Sequence, residues 1–225
     1  MKKRADVLLV EKELARSREK AKTMIIAGLV RCNGTPVSLP SDQLDPDSVF
    51  TLTGDDCPYV SRGGLKLEKA LREFDINLEG KTCLDIGCST GGFTDCMLKN
   101  GAAFVYAVDV GYGQFDWALR NDARVTLLER TNARYLDENT FEKPVDFVSI
   151  DVSFISLRLI LPVLLHIRHA DTLQVAALIK PQFEAGREKV GKKGVVRDPA
   201  VHAEVLKTVL DFAQNNGFGV AGLSF

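Results

Sequence analysis

Histidine is scarce in this chain, with three among 225 residues. Cysteine occurs five times (Cys32, Cys57, Cys83, Cys88 and Cys96), and no two form a C-x-x-C pair. So few imidazoles and no paired thiols leave no zinc set of ordinary spacing, and no metal site is expected. Unpaired cysteines in odd number suit a reducing compartment, which points to a cytoplasmic protein. Long apolar runs are missing too. After its basic start the chain offers only Val7 to Val10, whereas a signal peptide needs about 7–15 apolar residues. The most apolar segment, Leu159 to Ile167, is nine residues long and contains Pro162 and His166. A membrane helix needs about 20. Export by that route, a membrane span and a membrane partner are therefore not expected. Neither internal repeats nor low-complexity segments occur.

What is present is ordinary for a folded protein: 26% charged and 45% hydrophobic residues, with a mean hydropathy of −0.01. That balance excludes a disordered tail or a fibre. The length suits one large domain, or one domain of ordinary size plus a small module. Net charge is −1 but unevenly spread. Residues 1–40 hold nine Lys/Arg against four Asp/Glu, whereas residues 41–57 hold five Asp and no Lys or Arg. A basic block of this kind reads either as a solvated surface or as a patch facing phosphates.

Residues 1–57 read as a compact ααβββ module. Val7, Leu8 and Leu14 fit a first short helix. Ser17 can cap a second, with Ala21, Met24, Ile25 and Leu29 on its buried face and Gly28 as its stop. Val30 to Cys32 fits a strand, Asn33-Gly34 a tight turn, and further strands follow near Pro36–Leu39 and Val49–Leu52. Gly54 to Pro58 reads as a linker.

Residues 58–225 alternate strand and helix. Strands are expected at Thr82–Ile86, Phe104–Val110, Arg124–Leu128, Val145–Asp151, Leu173–Ile179 and from Gly217 onward. Helices are expected at Gly91–Asn100, Phe115–Asn121, Ser156–Ile167 and Pro199–Asn215. Such alternation implies an α/β fold with a doubly wound parallel sheet, preceded here by the small α+β module.

The first core strand runs into D-I-G-C-S-T-G-G-F, from Asp85 to Phe93. A strand, a Gly-rich turn and a helix place a ligand against backbone N–H groups. The second core strand ends at Asp109, where an acid can accept hydrogen bonds from both hydroxyls of a ribose. The turn departs from the dinucleotide fingerprint, because Ser89 stands at its second Gly and crowds a pyrophosphate. Asp85 lies near where dinucleotide phosphates would be. A carboxylate there suits a cofactor with a cationic amino-acid end, and S-adenosylmethionine fits. Asp85 would bind its ammonium, directly or through water. The candidate cofactor-binding set is Asp85, Gly87, Ser89, Gly91, Gly92, Phe93, Asp109, Asn132 and Asp151.

Three charged residues look placed for chemistry. Asp151 and Lys180 end apolar strands, where an open α/β sheet puts its active site, and Lys66 precedes the first core strand. Each alone reads as a salt bridge or a solvated charge. Together with the Gly-rich turn they form a constellation. A ribose hydroxyl needs its proton drawn away before it attacks a methyl group already activated by a sulfonium. A lysine doing this must be neutral, against a usual lysine value of about 10.4. Burial and a neighbouring cation favour the neutral form. Lys180 as base beside Lys66 is such a pair, with Asp151 to orient it.

Four motifs in this order, Y-V-S-R-G-G-L-K-L, D-I-G-C-S-T-G-G-F, I-D-V-S-F-I-S-L and L-I-K-P-Q-F-E, resemble the TlyA or hemolysin A family of FtsJ-type ribose 2′-O-methyltransferases. Arg4, Asp6, Ser17, Arg18, Ala21, Ile25, Gly28 and Val30 to Gly34 resemble the RNA-binding domain of the ribosomal protein S-four type, with Cys32 where an aliphatic residue is usual. The resemblance covers nearly all of the chain. It implies an S-adenosylmethionine-dependent enzyme acting on ribosomal RNA or ribosomal subunits. It also implies a Lys–Asp–Lys–Glu tetrad whose first three members match the catalytic candidates Lys66, Asp151 and Lys180. The fourth has no counterpart up to Phe225, so the methyltransferase domain reads as incomplete at its C-terminus. Arg4, Arg16, Arg18, Lys20, Lys22, Arg31 and Arg62 are the RNA-binding candidates. The basic loop Arg187–Arg197 reads as a solvated loop or as a flap over RNA. Tyr112, Phe115 and Trp117 read as core or pocket wall. Two other functions compete: a membrane-lytic hemolysin, suggested by the family's second name, and a non-catalytic RNA-binding protein that keeps the cofactor fold.

Overall fold

The computed structural model describes residues 2–15, 17–26, 28–52, 57–191 and 194–225. The chain divides into two compact units, Met1–Asp56 and Cys57–Phe225.

In the small unit, strand β1 (Lys3–Arg4) leads into helix α1 (Ala5–Glu11), and α2 (Arg18–Ile26) follows. The Lys20 N–H donates to Ser17 Oγ at 3.2 Å, so Ser17 caps α2. Strand β2 (Val30–Cys32) pairs antiparallel with β3 (Thr35–Pro36) through the Asn33-Gly34 turn, where both residues take positive φ. Strand β4 (Gln43–Leu44) pairs with β1, and β5 (Phe50–Leu52) with β2. Ala5, Leu9, Ala21, Ile25 and Val30 close the core. The two-residue strands β1 and β4 carry no sequence periodicity, because they are shorter than one alternation. The linker residues 54–56 lie outside the described residues.

The large unit opens with α3 (Gly63–Glu73), which sequence reading left unassigned because Gly63-Gly64 reads as loop. Next come β6 (Thr82–Ile86), α4 (Gly92–Lys99), β7 (Phe104–Val108), α5 (Trp117–Arg120), β8 (Val125–Leu128), β9 (Val145–Ile150), β10 (His169–Ala177), α6 (Pro181–Glu184) and α7 (Pro199–Asn215). The five strands are all parallel, in the order β10-β9-β6-β7-β8. The chain builds outward from β6 through β7 to β8, then crosses to the other side for β9 and β10. A crevice therefore opens beyond the C-terminal ends of β6 and β9.

Strand periodicity divides the core in two. Cys83, Val105, Ala107 and Phe147 face α3 and α4 residues such as Leu67, Leu71 and Met97. Leu84, Ile86, Val108, Val148 and Ile150 face the other layer, where α7 supplies Val205 and Val209. Burial of both faces explains the near-continuous apolar strands.

Two expected elements differ. Ser156–Ile167 is not an α-helix but two 3-10 segments, Leu157–Leu159 and Leu161–Leu165. Pro162 lacks the N–H an α-helix needs there, and its ring crowds the preceding turn. Residues 217–225 form no strand, since no sheet edge pairs with them.

Candidate active site

The turn after β6 is shaped by contact with β9. Gly87 has φ +85°, and a Cβ there would lie 2.7 Å from the Asp151 carbonyl oxygen. Only glycine allows that approach. Asp109, just past β7, ties the turn down: Oδ2 accepts from the Ser89 N–H at 2.8 Å and Oδ1 from the Gly111 N–H at 2.7 Å. Asn132 accepts from the Arg134 N–H at 3.1 Å and so caps a short 3-10 turn beyond β8.

Asp85 lies beneath the turn with no surface exposed. Thr94 Oγ1 donates to one of its oxygens at 2.7 Å and Ser149 Oγ to the other at 3.0 Å. Burial pushes its carboxyl up to about 6, against the pull of the two hydroxyls. The carboxylate has no exposed surface for the expected direct contact with a cofactor ammonium: α4 and β9 cover it, and each oxygen accepts one hydroxyl. Phe93 is likewise a core side chain, and Gly92 is buried.

Lys66 reaches the crevice from α3. The first turn of α3 sits tightly on α4, so that a Cβ on Gly64 would lie 2.5 Å from the Tyr59 ring and 2.7 Å from the Gly92 carbonyl oxygen. That close approach brings Lys66 Nζ to 3.3 Å from Asp151 Oδ2. Lys180, just past β10, places Nζ 2.5 Å from Asp151 Oδ1. This contact lies off the direction of a hydrogen bond, and Oδ1 accepts none among the described residues. Lys180 Nζ does donate to Ser153 Oγ, at 2.9 Å. Side-chain exposure is 52% for Lys66 but 18% for Lys180 and 17% for Asp151. The structure thus brings Lys66, Asp151 and Lys180 together on one carboxylate.

Sequence reasoning missed Ser153 and Phe154. Phe154 is 91% exposed, has φ +64°, and packs against Phe183 with ring centroids 5.1 Å apart. Both lie within quoted motifs, which was the available signal. Tyr112, in the loop after β7, and Trp117, at the start of α5, are exposed and not core, whereas Phe115 is buried. A shallow depression lined by Asp137, His166 and His169 lies away from this cluster.

In the small unit, Arg4 and Arg18 share a single partner. Arg4 Nε and Nη2 donate to Asp6 at 2.9 and 3.1 Å, and Arg18 Nη2 at 3.0 Å. Asp6 has no exposed surface, and its carboxyl is held down to about 2, chiefly by the Arg4 hydrogen bond. Lys22 pairs with Glu19, Arg31 donates to the Gly34 carbonyl, and Lys20 is exposed. Arg62, in the large unit, is exposed at the start of α3. Arg16 lies outside the described residues, as do Lys192 and Lys193 of the basic loop. Among the described residues no helix is long and apolar enough to cross a membrane.

A doubly wound parallel sheet, a glycine turn at its switch point and an acid after the next strand mark the large unit as a nucleotide-cofactor α/β fold. The FtsJ-like methyltransferase pattern matches residues 59–224, and the S4 domain pattern residues 3–50. The chain belongs to the FtsJ-like methyltransferases, in the TlyA and hemolysin A branch that carries an S4 domain. It is 46% identical to the Mycobacterium tuberculosis 16S/23S rRNA (cytidine-2′-O)-methyltransferase TlyA, over 98% of this chain and 82% of that protein. It is 43% identical to hemolysin A of Brachyspira hyodysenteriae, over 90% of this chain and 84% of that one. The solved structure of a Streptococcus thermophilus protein described as a hemolysin is 51% identical. It superposes with a TM-score of 0.76, covering 98% of this chain and 81% of that one.

Proposed function

We propose that this protein transfers a methyl group from S-adenosylmethionine to a ribose 2′-hydroxyl of ribosomal RNA. The observation that carries the reading is the sharing of Asp151 by Lys66 and Lys180 beside the Gly87 turn. Relatives named as rRNA 2′-O-methyltransferases supply the substrate.

The residues fit the cofactor. Each Asp109 oxygen keeps a lone pair beyond its one backbone bond, as acceptance from ribose hydroxyls needs. Gly87, Ser89, Gly91, Asp109 and Asn132 would hold it, with Asp151 near the methyl end. Asp85 would steady the turn from below. The cofactor supplies a methyl group already activated on sulfonium. The chain supplies approach and a base. Lys180 takes the proton of the ribose hydroxyl, Asp151 holds the two lysines in place, and Lys66 adds positive charge beside the oxygen as it ionises. The small unit grips RNA phosphates through its exposed cations. The five unpaired cysteines favour the cytoplasm as its place of action.

The test is transfer of labelled methyl groups to ribosomal subunits and to naked rRNA, followed by mapping of the modified ribose. Lys180→Ala should lower the single-turnover rate by at least about 100-fold while cofactor affinity stays near parental. A parental rate in this variant would remove Lys180 from the chemistry.

A further inference from the structure

Two loops leave the C-terminal ends of neighbouring strands, one after β9 and one after β10. Asp151 sits on the first and Lys180 on the second, and the segments meet again at several points, two of them beside Lys180. Phe154 packs on Phe183, and Lys180 donates to Ser153. Between those contacts the backbone turns left-handed at Phe154, with φ +64°. An aromatic residue rarely adopts that conformation, and it persists only where its surroundings enforce it.

The two contacts of Lys180 differ in kind. Asp151 Oδ1 lies 2.5 Å away but off the hydrogen-bond direction, so it attracts charge without fixing orientation. Ser153 Oγ accepts at 2.9 Å with hydrogen-bond geometry, so it fixes orientation without adding charge.

We infer that Ser153 is a positioning residue for methyl transfer: its hydroxyl oxygen sets the rotation of the Lys180 amine so that the amine's lone pair faces the incoming ribose hydroxyl. The inference rests on the function proposed above and adds a residue to it. A neutral amine carries two N–H bonds and one lone pair. One N–H is committed to Ser153, and the second lies on the side of Asp151 without a hydrogen bond to it. The lone pair is left at the remaining tetrahedral position. The hydroxyl proton passes to that lone pair, and Lys180 becomes an ammonium. Without the serine oxygen the amine rotates, and the carboxylate alone does not restore its direction.

Ser153 is exposed, so its replacement leaves the core untouched. The experiment compares Ser153→Ala, Ser153→Thr and Lys180→Ala in the full chain, with ribosomal subunits and S-adenosylmethionine as substrates. Ser153→Ala should lower kcat by about 10- to 100-fold, the scale of a misdirected reacting group. KM for the subunits should change by less than about twofold, as expected when only a transition-state contact is lost. Ser153→Thr, which keeps the hydroxyl, should recover most of the rate. A parental kcat in Ser153→Ala beside an inactive Lys180→Ala would overturn the serine's role alone. So would a threonine variant as slow as the alanine one. A parental rate in Lys180→Ala would overturn the lysine reading itself, and the serine's role with it.

Discussion

Each unit contains a fully buried aspartate, and the two are treated in opposite ways. Asp6 in the small unit is met by two guanidiniums, and its carboxyl is held down to about 2. Asp85 in the large unit is met by two hydroxyls, and burial pushes it up to about 6. The difference lies in the partners' charge: a cation compensates the lost hydration of a carboxylate, and a neutral donor does so only in part. The cover over Asp6 is also thin, since the Arg4 and Arg18 side chains that seal it are themselves 41% and 55% exposed. Asp6 thus clamps the end of β1, α1 and the start of α2 together. Asp85 costs stability at neutral pH, a cost typical of the neighbourhood of a working site.

The largest effect should come from Asp85→Asn. Its folded value lies above the usual 3.8, so the unfolded chain ionises first as pH rises. The large unit therefore loses stability between about pH 4 and 6, by up to about 3 kcal/mol. Asparagine should remove that loss, leaving the variant more stable at pH 7 and no different at pH 4 in denaturant titrations. Equal stability at both pH values would erase the contrast.

Asp6 should show the opposite sign. Its stabilisation is present above about pH 4 and disappears as pH falls toward 2, a loss of at most about 2 kcal/mol. Chemical-shift titration of the small unit should show its unfolding coupled to this step, and Asp6→Asn should abolish the coupling. A small unit whose acid stability is unchanged in Asp6→Asn would show that the clamp contributes nothing.

A smaller effect separates clamp from RNA contact. Lys20→Ala with Lys22→Ala should leave the small unit's stability near parental. It should flatten the salt dependence of rRNA binding by up to about 0.7–0.9 log units per lost phosphate contact. Arg18→Ala should also lower the unit's stability, because Asp6 loses a partner. Equal stability in the double variant and in Arg18→Ala would make Arg18 a surface cation like the others.

Much of this was legible in the sequence. The alternation of strand and helix announced the sheet, because its central strands β6, β7 and β9 are largely apolar on both faces. The meeting of Lys180 with Asp151 was legible because strand ends announce themselves, at Asp151 after Val145–Ile150 and at Lys180 after an apolar run. What failed has physical reasons. Pro162 converts an apolar helical pattern into 3-10 segments. Gly63-Gly64 reads as loop but serves a tight helix crossing. The burial of Asp6 beneath Arg4 and Arg18 is a feature that no spacing rule reveals. Ser153 and Phe154 matter through a left-handed turn, and backbone torsion leaves no mark in composition.

The strand order also sets a schedule. The central strand β6 meets β7 soon after it is made, but its other neighbour is β9. Lys66 waits 85 residues for Asp151. At synthesis rates of about 5–20 residues per second, that interval is roughly 4–17 seconds. During it the small unit is complete and able to hold RNA, while the crevice has one wall and lacks Asp151. A nascent chain therefore can bind RNA before it can act on it.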